Sequence, residues 1–316
     1  MDGYAVGVDV GGTKIECALV DDRGQVIKQI KRPTDVIGGY PAVLMQIIEY
    51  VRELTYDEKG PLWGIGVGVA GQVDAEKGIV LSAPNLKWKN VPLKADLTKV
   101  LAPLVVVTND VRAATWGEWR YGAGRGISQL VCIFVGTGIG GGVVCNGTML
   151  NGFGNTAGEV GHLITQINGP RCSCGNSGCL EALASGWAIA KIAKDIIKVN
   201  PDRGEYILRL VDDHIDAITS HQVIEAFRAK DPLAVEIMDG VRRALIAGLA
   251  SIVNVLNPQR VILGGGIIEG CPELLDSIAE GLRKMSLKAA TGCVEIVKPQ
   301  LQNSAGVIGA ASLVIS

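Results

Sequence analysis

The chain has 316 residues, enough for two domains of ordinary size that each bury a core. Its net charge of −2, with 20% charged and 4% aromatic residues, gives no basis for a nucleic-acid surface or a strongly charged partner. The opening has an acidic residue at position 2 and no basic stretch leading into a long apolar run, so a secretory signal is not expected. A cytoplasmic location is expected, in which the eight cysteines would stay reduced.

The first thirty residues set "YAVGVDV", "IECALV" and "VIKQI" between the turn signals "GGTK" and "DDRGQ", which predicts an antiparallel meander. "YPAVLMQIIEYVREL" then predicts a helix burying Val43, Ile47, Tyr50, Val51 and Leu54. "WGIGVGVAG" reads as a buried strand ending in a loop. "LAPLVVVTND" is a strand that opens at Asn109 and Asp110 into a helix, "VRAATWGEWRYGAG", with Ala113, Trp116 and Tyr121 available for burial.

A second glycine-turned strand pair follows in "LVCIFV", "GTGIGGG" and "VVCNG". Its likeness to the first predicts two domains of related build, each offering a glycine loop to a shared cleft. Residues 126–158 carry no Asp, Glu, Lys or Arg, but ten glycines and two Asn-Gly turns suit buried strands rather than a membrane span. From Gly186 the pattern is helical to Asn257, where Pro258 ends it. "RVILGGG" is a strand delivering a third glycine run, and "NSAGVIGAASLVI" a final apolar helix.

Several stretches carry chemistry. "DVGGTK" puts Asp9 at a strand end and Gly11, Gly12 and Thr13 in the turn, where backbone N–H groups can approach an anion, or which can be a plain hairpin turn. Gly136, Gly138 and Gly141 match a dinucleotide fingerprint, yet the strand-like "GVVCNG" follows where that fingerprint must open a helix. No G-x-x-x-x-G-K-[ST] is present, and neither "HRD" nor "DFG" occurs. Asp110 is a carboxylate able to reach a cleft, or a helix cap.

In "GHLITQINGPRCSCGNSGCLE", His162, Cys172, Cys174 and Cys179 supply one imidazole and three thiolates, the ligand set of a closed structural zinc site. The alternative is free thiols in a glycine-rich loop. Cys17, Cys132, Cys145, Cys271 and Cys293 are isolated and read as small core residues, and His214 and His221 need no special role.

"DVGGTK", "NDVRAATWGE", "GTGIGGG", "GEVGH", "CSCGNSGCLE" and "LGGG", in this order and across essentially the whole chain, resemble the ROK family of sugar kinases, nearest its bacterial glucokinase-type members. The resemblance implies an α/β, actin-like or hexokinase-like (ribonuclease H-like) two-domain ATPase fold with an interdomain cleft. A small domain of residues 1–108 plus about 300–316 and a large domain of 109–299 carrying the zinc loop are expected.

It also implies transfer of the γ-phosphate of ATP to the 6-hydroxyl of a hexose, with Asp110 as base and magnesium as a cofactor. The matching sugar-contacting positions are Asn109, Glu159, His162 and Glu181, with Gly71 and Asn85 from nearby loops. Asp9 would hold magnesium through water. Gly11, Gly12, Thr13, Gly136, Thr137, Gly138, Gly264 and Gly265 would serve ATP, while Lys14 either adds charge there or is solvated. One ring nitrogen of His162 would bind structural zinc and the other donate to the sugar.

Glucose is the expected hexose; mannose, fructose, an N-acetylhexosamine, or polyphosphate as donor are the alternatives. A homodimer or homotetramer without nucleic-acid or membrane partners is expected. Sugar-sensing repressors of the same family carry a helix-turn-helix ahead of the first strand, for which a strand starting near Tyr4 leaves no room.

Overall fold

The computed structural model describes residues 3–102 and 104–315; the expectation drawn from position 2 lies outside them. The first strands are β1 (Tyr4–Val10), β2 (Lys14–Val20) and β3 (Val26–Pro33), followed by α1 (Gly39–Thr55) and β4 (Leu62–Val69). Next come β5 (Gln72–Asp74), β6 (Ile79–Ala83), β7 (Trp88–Val91), α2 (Leu93–Val100), β8 (Val105–Asn109) and α3 (Asp110–Tyr121). Then follow β9 (Leu130–Val135), β10 (Ile139–Cys145), β11 (Thr148–Met149), α4 (Leu180–Ala184), α5 (Gly186–Val199), α6 (Glu205–Arg209), α7 (Ser220–Arg228) and α8 (Pro232–Leu256). The chain ends with β12 (Arg260–Gly264), α9 (Gly266–Gly270), α10 (Glu273–Met285), α11 (Lys288–Thr291), β13 (Glu295–Val297) and α12 (Ala305–Ser312).

The expected meander is present: β2 pairs antiparallel with both β1 and β3, and β4 and β8 extend the sheet in parallel, giving the order β3-β2-β1-β4-β8. A second sheet repeats the plan as β11-β10-β9-β12-β13, with β12 parallel to both β9 and β13. A duplicated sheet of this order, with helices on its faces, defines the actin-like, ribonuclease H-like class. No helix among the described residues is long and apolar enough to cross a membrane.

Two compact units result: residues 1–128, 142–157 and 299–316, and residues 129–141 and 158–298. This division does not fall at 108/109, because α3 packs along α12 and so groups with the first unit. One face of the first sheet buries Val6, Val8, Ile15 and Leu19 under α1 and α2. The other meets α12, where a Cβ added to Gly7 would lie 1.8 Å from the Val307 carbonyl oxygen and one on Gly66 1.7 Å from that of Ala310. Only glycine allows that helix to seat on the sheet.

In α1, Val43, Ile47, Tyr50, Val51 and Leu54 are all buried as the spacing predicts. In α3 the expectation holds for Ala113 alone. Trp116 and Tyr121 are half-buried, and the helix instead buries Arg112 and Glu118, whose polar groups find partners in other segments, and Thr115, whose hydroxyl donates back to the Val111 carbonyl. Cys145 and Cys293 are likewise exposed rather than in the core: the first ends β10 at the Asn146–Gly147 turn, and the second lies in the turn after α11.

Candidate functional site

In the first unit, Asp9 stands near the end of β1, directly opposite Glu16. Loss of solvation pushes its carboxyl up to about 7, and the negative charges of Asp110 and Glu16 add to this, while Lys14 and Lys31 oppose it. The turn after it is tied from β3: the Thr34 hydroxyl donates to the Gly11 carbonyl at 2.7 Å, and the Thr34 N–H to the Thr13 carbonyl at 3.1 Å. Lys14 is not simply solvated, because its ammonium lies 3.2 Å from the Glu16 carboxylate.

Asn109 caps α3, its Oδ1 accepting from the Arg112 N–H at 3.1 Å. Its Nδ2 donates to the Gly71 carbonyl at 3.1 Å and to Asp110 Oδ1 at 2.8 Å. The cap is therefore Asn109, and Asp110 is the first residue of the helix, where the N-terminal dipole favours an anion. Asn109 binds Asp110 and the loop at Gly71 into one group. Asn85 is exposed in a one-turn helix, Pro84–Leu86, and a Cβ added to Gly12 would lie 2.8 Å from its own Cβ.

In the second unit, the loop Gly136–Gly138 is pinned on three sides. Its Gly136 and Thr137 carbonyls accept from Gly186 N–H at 2.8 Å and Trp187 N–H at 3.1 Å, the first residues of α5. At its exit, Glu181 Oε2 accepts the Ile139 N–H at 2.9 Å. Glu181 Oε1 also accepts from Ser173 Oγ and Trp187 Nε1, both at 3.3 Å. Gly264 lies beside Phe134 at the end of β9, and the backbone of Gly265, at φ 94°, packs on Val135. The third glycine run thus joins the second, one residue from Gly136.

Glu159 is exposed and precedes the one-turn helix Val160–His162. His162 Nδ1 faces Cys172 Sγ at 3.8 Å, Cys174 Sγ lies 3.7 Å from Cys179 Sγ, and all four ligand atoms fall within 4.8 Å of one another. Zinc–sulfur bonds of about 2.3 Å in a tetrahedron place sulfurs about 3.8 Å apart, so these residues fit the ion. Burial and the neighbouring thiols push Cys179 up to about 12, whereas the Asn176 backbone N–H lowers Cys174. Such a crowd of thiols ionises together only around a cation.

Glu16, Lys31 and Thr34 gather at Asp9 and the turn after it, and no sequence motif marks them. The available signal was the acidic residue inside the apolar strand "IECALV".

The ROK family profile matches residues 5–316. A glucokinase from Thermotoga maritima is 37% identical over 98% of this chain and 96% of its own length. The crystal structure of a ROK family glucokinase from Streptomyces griseus, in complex with glucose and AMPPNP, superposes with a TM-score of 0.83 at 34% identity, covering 98% of this chain and 99% of that one. A xylose repressor from Caldicellulosiruptor bescii is 31% identical over 99% of this chain but 78% of its own length. The chain belongs to the ROK family.

Proposed function

We propose that the protein is an ATP-dependent sugar kinase of the glucokinase type, which transfers the γ-phosphate of ATP to the 6-hydroxyl of glucose. The observation that carries this reading is Asp110, held at the start of α3 by the Asn109 amide at 2.8 Å. Phosphoryl transfer needs a positioned acceptor more than a strong base, and a fixed carboxylate accepts the hydroxyl proton while orienting its oxygen. Asn109 keeps Asp110 in place, and its amide can also meet a second hydroxyl.

Glu159 and His162 supply an acceptor and a donor for further hydroxyls, with Glu181 as a third partner; Gly71 and Asn85 line the neighbouring loops. Gly11, Gly12, Thr13 and Lys14, then Gly136, Thr137, Gly138, Gly264 and Gly265, receive the nucleotide. Thr34 holds the Gly11 and Thr13 carbonyls and the Gly11 N–H donates to the Lys14 carbonyl at 3.0 Å, so the turn is fixed in shape and the Gly12 and Thr13 amides are the ones offered to phosphate oxygens. Asp9 would hold magnesium through water, and bound magnesium neutralises phosphate charge. His162, Cys172, Cys174 and Cys179 would hold a structural zinc ion that takes no part in the chemistry.

A cytoplasmic homodimer or homotetramer is the expected form. Non-catalytic sugar sensing is favoured by the likeness to xylose repressors, of which the chain covers 78% of the length. Asp9 and Asp110 together argue for turnover. The test is ADP release with glucose, mannose, fructose and N-acetylhexosamines, with ATP or polyphosphate as donor. Glucose with ATP is expected to give the highest kcat/KM; no stimulation by any sugar would sink the reading.

A further inference from the structure

The roles above leave one buried charge of the first unit unexplained, that of Glu16. Glu16 lies inside β2, in a run of apolar residues, with its side chain 2% exposed. A carboxylate taken out of water must be well compensated to persist there. Its Oε2 lies 3.2 Å from Lys14 Nζ and 3.3 Å from Lys31 Nζ, and its Oε1 accepts from Gln29 Nε2 at 2.5 Å.

The ladder explains this convergence. Glu16 is directly opposite Asp9 on β1 and directly opposite Lys31 on β3. Opposed residues project from the same face, and Lys14, two positions from Glu16, shares it. A row Asp9, Glu16, Lys31 therefore crosses three strands, with Lys14 one step nearer the glycine turn. The end of β3 is fastened to that turn by the two bonds from Thr34, three residues after Lys31.

Burial separates the partners. The carboxylate is enclosed, while the Lys14 and Lys31 side chains stay 44% and 49% exposed. The enclosed Glu16 carboxylate, with Asp9 opposite it, fixes two ammonium groups that still face solvent, and lysine is a common point-charge binder of phosphate.

We infer that Glu16 is a positioning residue that holds Lys14 and Lys31 as a pair for the terminal phosphates of the nucleoside triphosphate, which makes Lys31 a phosphate-binding residue. The inference rests on the kinase reading, but it is read through nucleotide affinity and not through sugar turnover alone.

The experiment measures Mg·ATP and AMP binding by calorimetry, and KM for ATP and for glucose, in wild type, Lys31→Met, Lys31→Arg and Glu16→Gln. Loss of one charge contact should weaken Mg·ATP about tenfold in Lys31→Met, with little change for AMP or in the KM for glucose. Lys31→Arg should restore most of the affinity, and Glu16→Gln should weaken Mg·ATP at least as much as Lys31→Met. If Glu16→Gln does not fold, the exposed Lys31 still decides the matter. Unchanged Mg·ATP affinity in folded Lys31→Met overturns the inference. Wild type that binds Mg·ATP with this dependence on Lys31, yet phosphorylates no sugar, overturns the kinase reading and leaves the phosphate pair standing. Wild type that binds no nucleotide overturns both.

Discussion

Glu181 Oε2 accepts the Ile139 N–H at 2.9 Å, and the same side chain takes up Ser173 and Trp187 through its other oxygen. One carboxylate thus ties the cysteine loop and α5 to the exit of the Gly136–Gly138 loop, so the order of the metal loop reaches the proposed phosphate loop through three hydrogen bonds.

Metal removal should therefore disturb more than the cysteines. Elemental analysis is expected to find about one zinc per chain, falling sharply in Cys174→Ser. Chelated protein should lose thermal stability and bind Mg·ATP more weakly, because Glu181 is anchored beside Ser173. Zinc-free protein that is fully stable and active would refute the structural role.

Asp110→Asn keeps the shape and the helix cap while removing the proton acceptor. Loss of a positioned general base lowers kcat by about 10² to 10⁴. The KM for glucose and the unfolding midpoint should change little, since the cap is Asn109. A fully active variant would place the base elsewhere.

Asn109→Ala should combine two effects that Asp110→Asn separates. Loss of an N-cap costs about 1 kcal/mol of stability. Loss of the 2.8 Å bond to Asp110 lets that carboxylate wander, so kcat falls as well. Asn109→Asp, which can still cap, should recover the stability without the turnover. Denaturant titration alongside steady-state kinetics separates the two.

The cysteine cluster was legible because its ligands lie within one loop and their chemistry is local. The same holds for the meander and for the apolar face of α1. Helix α3 shows the limit. Its helical pattern is plain, but Arg112 is buried because its guanidinium donates to the Ala157 carbonyl, and Glu118 because it accepts from Gln300 and Leu301 N–H groups, up to 183 residues away. Glu16 is the same case across strands: nothing in "IECALV" reveals that β3 will bring Lys31 to it. Polar burial is decided by partners that periodicity does not contain.

Glu118 itself carries a stability prediction. It is fully buried and accepts from Ala123, Gln300 and Leu301 N–H groups at 2.8, 3.0 and 2.7 Å. Glu118→Gln replaces one charged acceptor by a donor facing N–H groups, and hydrogen bonds to charged groups are worth about 1.5–3 kcal/mol each. A loss of about 2 kcal/mol or more is expected by urea titration. A shift below a few tenths would show that the segment at Gln300 is held by α12 alone.

Asp9 sets function against stability. In the metal-free protein its carboxyl is pushed up to about 7, above the ordinary carboxylate value of 3.8, chiefly by burial and then by Asp110 and Glu16. The folded state therefore binds a proton across the window from 3.8 to about 7 that the unfolded chain has released. Where the folded state binds more protons, stability falls as pH rises, and the full cost is present above the folded value. Asp9→Asn carries no charge, so it should stabilise the metal-free protein at pH 8 and flatten this part of the pH profile. It should also weaken Mg·ATP binding, which in wild type should decline as pH drops below about 7 and a proton competes for the carboxylate. Thermal midpoints from pH 4 to 9, with and without Mg·ATP, read both effects. A variant that is less stable without metal at pH 8 would mean that Asp9 serves as a partner for Lys14 and Lys31 more than as a site for the cation.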